Sequence, residues 1–203
     1  MFAFLRRRSA SFAVFRRPGG CLKVGRTLYV KNRREWRAWL AKHGATASEI
    51  WLIYYKKSSA RPRIAYNDAV DEALCYGWID GILKPIDDKK YAQRFSPRRK
   101  TSKLSDMNRE RVRRLIKSGR MTKAGRAAIA HVGKKDWRLP ADIMRALKRN
   151  PTTWRNFARF PASYKRIRIG WIDAARRRPE ILKQRLDYFL KMTARNKRFG
   201  MVQ

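Results

Sequence analysis

Acidic residues are scarce in this chain: 15 Asp and Glu stand against 52 Lys and Arg, giving a formal charge of +37 over 203 residues. A field of that size attracts polyanions such as nucleic acid, ribosomes, anionic lipid or acidic proteins. The competing explanation is a general basic bias in composition that serves no partner. Histidine is rarer still. His43 and His131 stand far apart and outside any HExxH-type spacing, which argues against a Cys/His metal set. Cysteine is limited to Cys21 and Cys75, neither in a CxxC pair, so there is no disulfide framework and a reducing compartment is expected. No apolar run approaches the roughly 20 residues that span a bilayer, so no transmembrane segment is expected. A phosphate-binding glycine loop and a nucleophile elbow are both missing.

What is present is enough for a folded core. Apolar residues make up 44% of the chain and aromatics 12%, which excludes a disordered polyelectrolyte. Residues 1–26 carry six Arg, one Lys and no acid, and read as a basic extension, a targeting segment or a mis-assigned start. Beyond Pro18, Gly19 and Gly20 the folded part begins. Residues 27–30 are β-prone. Asn32 is placed to cap a helix over 33–43, with Trp36, Trp39 and Leu40 on one face and Gly44 at its end. Residues 50–55 form a continuous β-branched and aromatic run, a buried strand, with residues 63–65 as a short partner strand. Asn67 is placed to cap a helix over 68–76. A hairpin follows, with strands at 79–86 and 91–95 around a turn at 87–90.

From Arg98 the composition changes. Residues 97–126 hold 12 Lys or Arg and two acids. Ser105 or Asp106 can cap a helix to 118, stopped by Gly119, and Thr122 a second helix to 132. After a polar linker at 134–138, Pro140, Asn150 with Pro151, Ser163 and Pro179 open four short helices with aromatic inner faces. The expected architecture is therefore α+β, with a small, mostly antiparallel sheet with helices, followed by an all-helical C-terminal module. The expected divisions are residues 1–26, an α+β domain at 27–100, a basic helical segment at 101–135 and the module at 136–203.

Two groups of residues stand out for function. Trp78, Asp80 and Arg94 are candidates to line a pocket near the Gly77–Gly81 turn. The competing role for Asp80 is an internal bond, to an arginine or to backbone amides. Six of the 15 acids, Asp68, Asp71, Glu72, Asp80, Asp87 and Asp88, fall within 21 residues and can serve as the internal counter-charge of the basic run. Arg98, Arg99, Lys100, Arg109, Arg113, Arg114 and Lys117 are candidates for gripping phosphates, with a merely solvated basic face as the alternative. Cys75 sits near a helix C-terminus beside acids, an environment that suppresses a thiolate. No catalytic residue and no cofactor is assigned.

The segments ATASEIWLIYYKK (45–57), AVDEALCYGWIDG (69–81), YAQRFSPRR (91–99) and GRMTKAG (119–125), in this order, resemble the YdeI/OmpD-associated family, also called the bacteriocin-protection family. SYKRIRIGWIDAARRRPE (163–180) is similar to that family's small helical C-terminal module. The resemblance covers about residues 28–195 and departs at Ser102-Lys103-Leu104-Ser105, where the family has a tryptophan. It implies a bacterial, cytoplasmic protein tied to bacteriocin tolerance or envelope protection, acting by binding, with a protein partner at the cell envelope. It supplies no catalytic residues. Two alternatives stay open: a nucleic-acid or other polyanion binder working through 98–126, and an enzyme with a pocket near Trp78 and Asp80.

Overall fold

A computed structural model describes residues 24–131 and 137–200. The basic extension through residue 23, Cys21 and most of the linker at 134–138 lie outside the described residues. The chain runs β1 (Thr27–Tyr29), α1 (Arg33–His43), β2 (Ile50–Tyr55), α2 (Tyr66–Cys75), β3 (Trp78–Pro85), β4 (Lys90–Pro97), α3 (Asp106–Lys117) and α4 (Lys123–Ile129). Four helices follow: α5 (Ala141–Lys148), α6 (Pro151–Arg159), α7 (Ala162–Asp173) and α8 (Pro179–Ala194). The fold is α+β.

The four strands form one sheet in the order β1-β2-β4-β3. The sheet is mixed: two of its three pairings are antiparallel, as expected, and one is parallel. β1 pairs with β2 in parallel, Thr27 opposite Trp51, because α1 carries the chain back to the end from which β1 started. The hairpin was legible: β4 lies antiparallel to both β2 and β3, with Phe95 opposite Ile50 and Asp80. Residues 63–65 do not form a strand. Ile64 instead buries its side chain and donates its N–H to the Val30 carbonyl at 3.4 Å, sealing the mouth of the β1–α1 connection.

Helices α1 and α2 cover one face of the sheet. Trp36, Leu40, Val70, Ala73, Leu74, Trp78, Ile50, Leu52 and Phe95 form the core between them, and Leu115 of α3 and Met121 join it. The basic segment is thus partly core-forming. α1 has its expected boundaries because Asn32 accepts the Glu35 N–H at 3.0 Å while Glu35 reaches back to Lys31 N–H and the Asn32 amide. α2 starts two residues earlier than expected, at Tyr66. Ala65 takes the cap position with no side-chain bond, and the Asn67 amide oxygen is turned instead to Arg111 at 2.6 Å.

Gly77 ends α2 with φ +77, a left-handed conformation, and a Cβ there would meet Ala128 at 2.6 Å. α4 is held just as closely: Thr122 caps it and donates its hydroxyl to the Cys75 carbonyl at 2.6 Å, and Gly125 lies against that same carbonyl. The second core belongs to α5–α8, with Ile143, Leu147, Phe157, Phe160, Tyr164, Ile172 and Phe189 buried together. Its helix starts at Asn150-Pro151 and Pro179 fall where the sequence places them, whereas α7 begins at Ala162 after Pro161 and has no side-chain cap.

Candidate anion-binding cleft

α3 is a helix with three different surroundings. Leu115 points into the first core, and Val112 is buried. Arg111 and Arg114 turn toward α2, where two buried carboxylates wait. Asp71 accepts from Arg111 Nη1 at 2.9 Å and from Arg114 Nη2 at 2.5 Å, with Arg33 Nη2 at 3.5 Å. Glu72 is fully buried and accepts from Arg37 Nη1 at 2.7 Å as well as from Arg33 and Arg120. Two acids therefore gather five arginines from α1, α3 and the 118–122 turn. Burying carboxylates this deep is tolerable because nearly every lone pair meets a guanidinium. The bond to Glu72 also raises the Arg37 pKa above its ordinary value.

The third face of α3 meets α7 of the helical module. Glu110, with a side chain only 9% exposed, accepts a two-pronged grip from Arg166, Nε at 2.6 Å and Nη2 at 2.7 Å, and a further bond from Arg113. The helices approach closely here because Gly170 has no side chain where Asp106 sits. Between them opens a cavity of about 410 Å³ lined by Met107, Glu110, Arg111, Arg113, Arg114 and Lys117 of α3 and by Ser163, Arg166 and Ile167 of α7. Five cations face one carboxylate, and that carboxylate is already held by two of them. The volume is in the range of small-molecule sites.

Of the residues expected to grip phosphates, Arg113, Arg114 and Lys117 line this cleft. Arg99 and Lys100 are exposed, and Arg109 is half-buried on α3. Arg98 departs from the expectation. It is buried, donates Nη2 to the Ser102 carbonyl at 3.1 Å, and desolvation followed by repulsion from Arg109 pulls its pKa down. It braces the 98–102 turn instead of facing solvent. Glu110, Ser163 and Arg166 were not singled out from sequence. Glu110 carried a signal nonetheless: an isolated acid in a run of cations marks an internal ion pair.

Trp78, Asp80 and Arg94 do not converge. Trp78 is buried in the first core and donates its indole N–H to the Gly44 carbonyl at 2.9 Å. Asp80 accepts the Tyr66 phenol at 2.6 Å, so its internal partner is neither an arginine nor a backbone amide. Burial and that bond push the Tyr66 pKa up. Arg94 emerges from the other side of the sheet, since its neighbour Phe95 faces the core opposite Asp80. It binds Glu49 at 2.7 Å, and Glu49 also accepts the Trp51 indole N–H at 3.0 Å. Glu49 borders a second cavity of about 450 Å³ with Arg26, Trp39 and His43. Cys75 is buried, and desolvation together with Glu72 raises its thiol pKa. Among the described residues no group of three or more His, Cys, Asp or Glu is placed to hold a metal ion, and no helix is long and apolar enough to cross a membrane.

The α7 wall of the cleft lies in a stretch that is similar to a known family. Residues 136–196 match the family model described as Bacteriocin-protection, YdeI or OmpD-Associated. The similarity to this family covers 61 of the 203 residues, those of the helical module. The YdeI/OmpD-associated module thus supplies Ser163, Arg166 and Ile167, while α3 falls in residues 28–128, which match a domain of unknown function (DUF8412). The cleft is shared between the two matched regions. No curated protein and no solved structure matches the chain.

Proposed function

We propose that this protein is a non-enzymatic binding protein of the YdeI/OmpD-associated type whose target is a polyanion, engaged through the basic face of α3 and the exposed cations at 99–100. The observation that carries this reading is how unevenly the charges are used. Asp71, Glu72 and Glu110 are turned inward onto arginines, while Arg99, Lys100, Arg113 and Lys117 remain exposed. Internal neutralisation consumes the acids of this region and leaves a cationic exterior. A surface of this kind recognises phosphate spacing through backbone contacts and carries little sequence preference. The family's description speaks of bacteriocin protection. On this reading any such role is exerted from the cytoplasm at an anionic surface, because a chain of +37 repels cationic peptides.

Filter binding with single-stranded RNA and duplex DNA at two salt concentrations tests the proposal. Binding is expected at low salt, falling steeply as salt rises, and the double variant Arg99→Glu/Lys100→Glu should flatten that dependence. Failure of both nucleic acids to bind at low salt would overturn it.

A further inference from the structure

We propose that the α3–α7 cleft is a discrete site for a small molecule bearing two adjoining phosphates, of the nucleoside diphosphate class. The inference rests on the polyanion reading and deepens it, by assigning one pocket of the basic face a ligand of its own.

Charge is the first reason. Arg111, Arg113, Arg114, Lys117 and Arg166 line the cleft against the single carboxylate of Glu110, and Asp71 behind the wall draws on Arg111 and Arg114. A surplus of about three positive charges remains within one cavity. A single carboxylate does not balance that surplus, whereas a diphosphate does. Donor geometry is the second reason. A guanidinium has five N–H donors in a fixed fork, and the half-exposed Arg113 spends only part of its fork on Glu110. Glu110 holds Arg113 and Arg166 in place before any ligand arrives, which lowers the ordering cost of binding. Lys117 adds a mobile ammonium and Ser163 a hydroxyl from the opposite wall.

The third reason is the remainder of the lining. Met107 and Ile167 are apolar and sit among the cations, so the cleft also offers a contact for an uncharged ring next to the phosphates. A volume of about 410 Å³ admits such a molecule and not a folded polymer. Because α3 and α7 belong to different matched regions, the ligand would also clamp the helical module onto the α+β part.

Titration calorimetry of the full chain with pyrophosphate and with ADP, using sulfate as control, tests the site. Saturable one-to-one binding of both phosphates, tighter than sulfate, is expected, together with a raised melting temperature in their presence. Lys117→Glu and Ser163→Glu, both at non-core positions, should each weaken pyrophosphate by at least about tenfold, the loss of one charge-assisted contact. Arg99→Glu/Lys100→Glu should leave it within about twofold, since exposed charges outside the cleft act weakly. ADP binding tighter than pyrophosphate assigns the apolar lining to the ring, and equal affinity restricts the site to the diphosphate. Absence of binding, parity with sulfate, or equal weakening by cleft and non-cleft variants would overturn the proposal. Nucleic-acid binding that survives while pyrophosphate fails sinks the cleft alone. Pyrophosphate binding that survives while nucleic acid fails sinks the broader reading alone.

Discussion

Glu72 has no exposed surface and three arginine partners, so its charge cannot be removed without consequence. Glu72→Gln keeps the volume but leaves Arg33, Arg37 and Arg120 competing for one neutral oxygen. Breaking a buried pair on one side costs about 3–5 kcal/mol, and urea denaturation should show a loss of that order at neutral pH. Glu49 is a milder case. The Trp51 indole N–H first, and Arg94 second, hold its carboxyl below the ordinary carboxylate range. The sign follows directly: the stabilisation is fully present above the unfolded carboxylate pKa of about 4.3 and fades as pH falls through the lower folded value. Because the pair is partly exposed, it contributes no more than about 1 kcal/mol. Glu49→Gln should therefore be destabilised relative to wild type at pH 7 and indistinguishable from it near pH 2. A difference that grows on acidification would contradict this assignment.

At the scale of elements, the closest join in the first domain is α4 against the end of α2. Gly125 lies so near the Cys75 carbonyl that a methyl group has nowhere to go, and the obstacle is backbone, not a flexible side chain. Gly125→Ala should cost about 1–3 kcal/mol, the usual range for overpacking, although alanine is the better helix former. Gly119→Ala, where nothing lies nearby, tests only the left-handed φ of 68 and should cost less. Helix starts were legible from sequence wherever the cap is a local bond, as at Asn32, Ser105, Thr122 and Asn150. They were misjudged where a distant partner intervened, as with Asn67, taken by Arg111 44 residues away. The one parallel pairing escaped the sequence for the same reason. A run such as Ile50–Tyr55 announces a buried strand but says nothing about which neighbour it meets, and the parallel β1–β2 pair depends on how α1 packs. The cleft was half legible. Its basic wall stood out in composition, while its α7 wall lies 56 residues from Glu110 along the chain, beyond the reach of local pattern.

For the molecule as a whole, the two cores are separate clusters, and the α3–α7 contact joins them. Glu110 lies in that contact, shared by Arg113 of its own helix and Arg166 of the other. Glu110→Gln should weaken the coupling more than either core. The expected result is a broadened urea transition with a lower apparent m-value, as the helical module begins to unfold independently. A shift of the midpoint with unchanged m would show that the two parts remain a single cooperative unit.

The position of α3 also constrains recombination. One side of the helix is committed to Asp71 of α2 and another to Glu110's partner on α7, so the helix answers to two matched regions at once. A chimaera cut within residues 132–136 leaves Glu110 behind with the first region and carries Arg166 away with the second. A donor module that lacks a cation at that place would leave a mostly buried carboxylate with Arg113 alone. Replacing the helical module is therefore an exchange of matched charges before it is an exchange of folds.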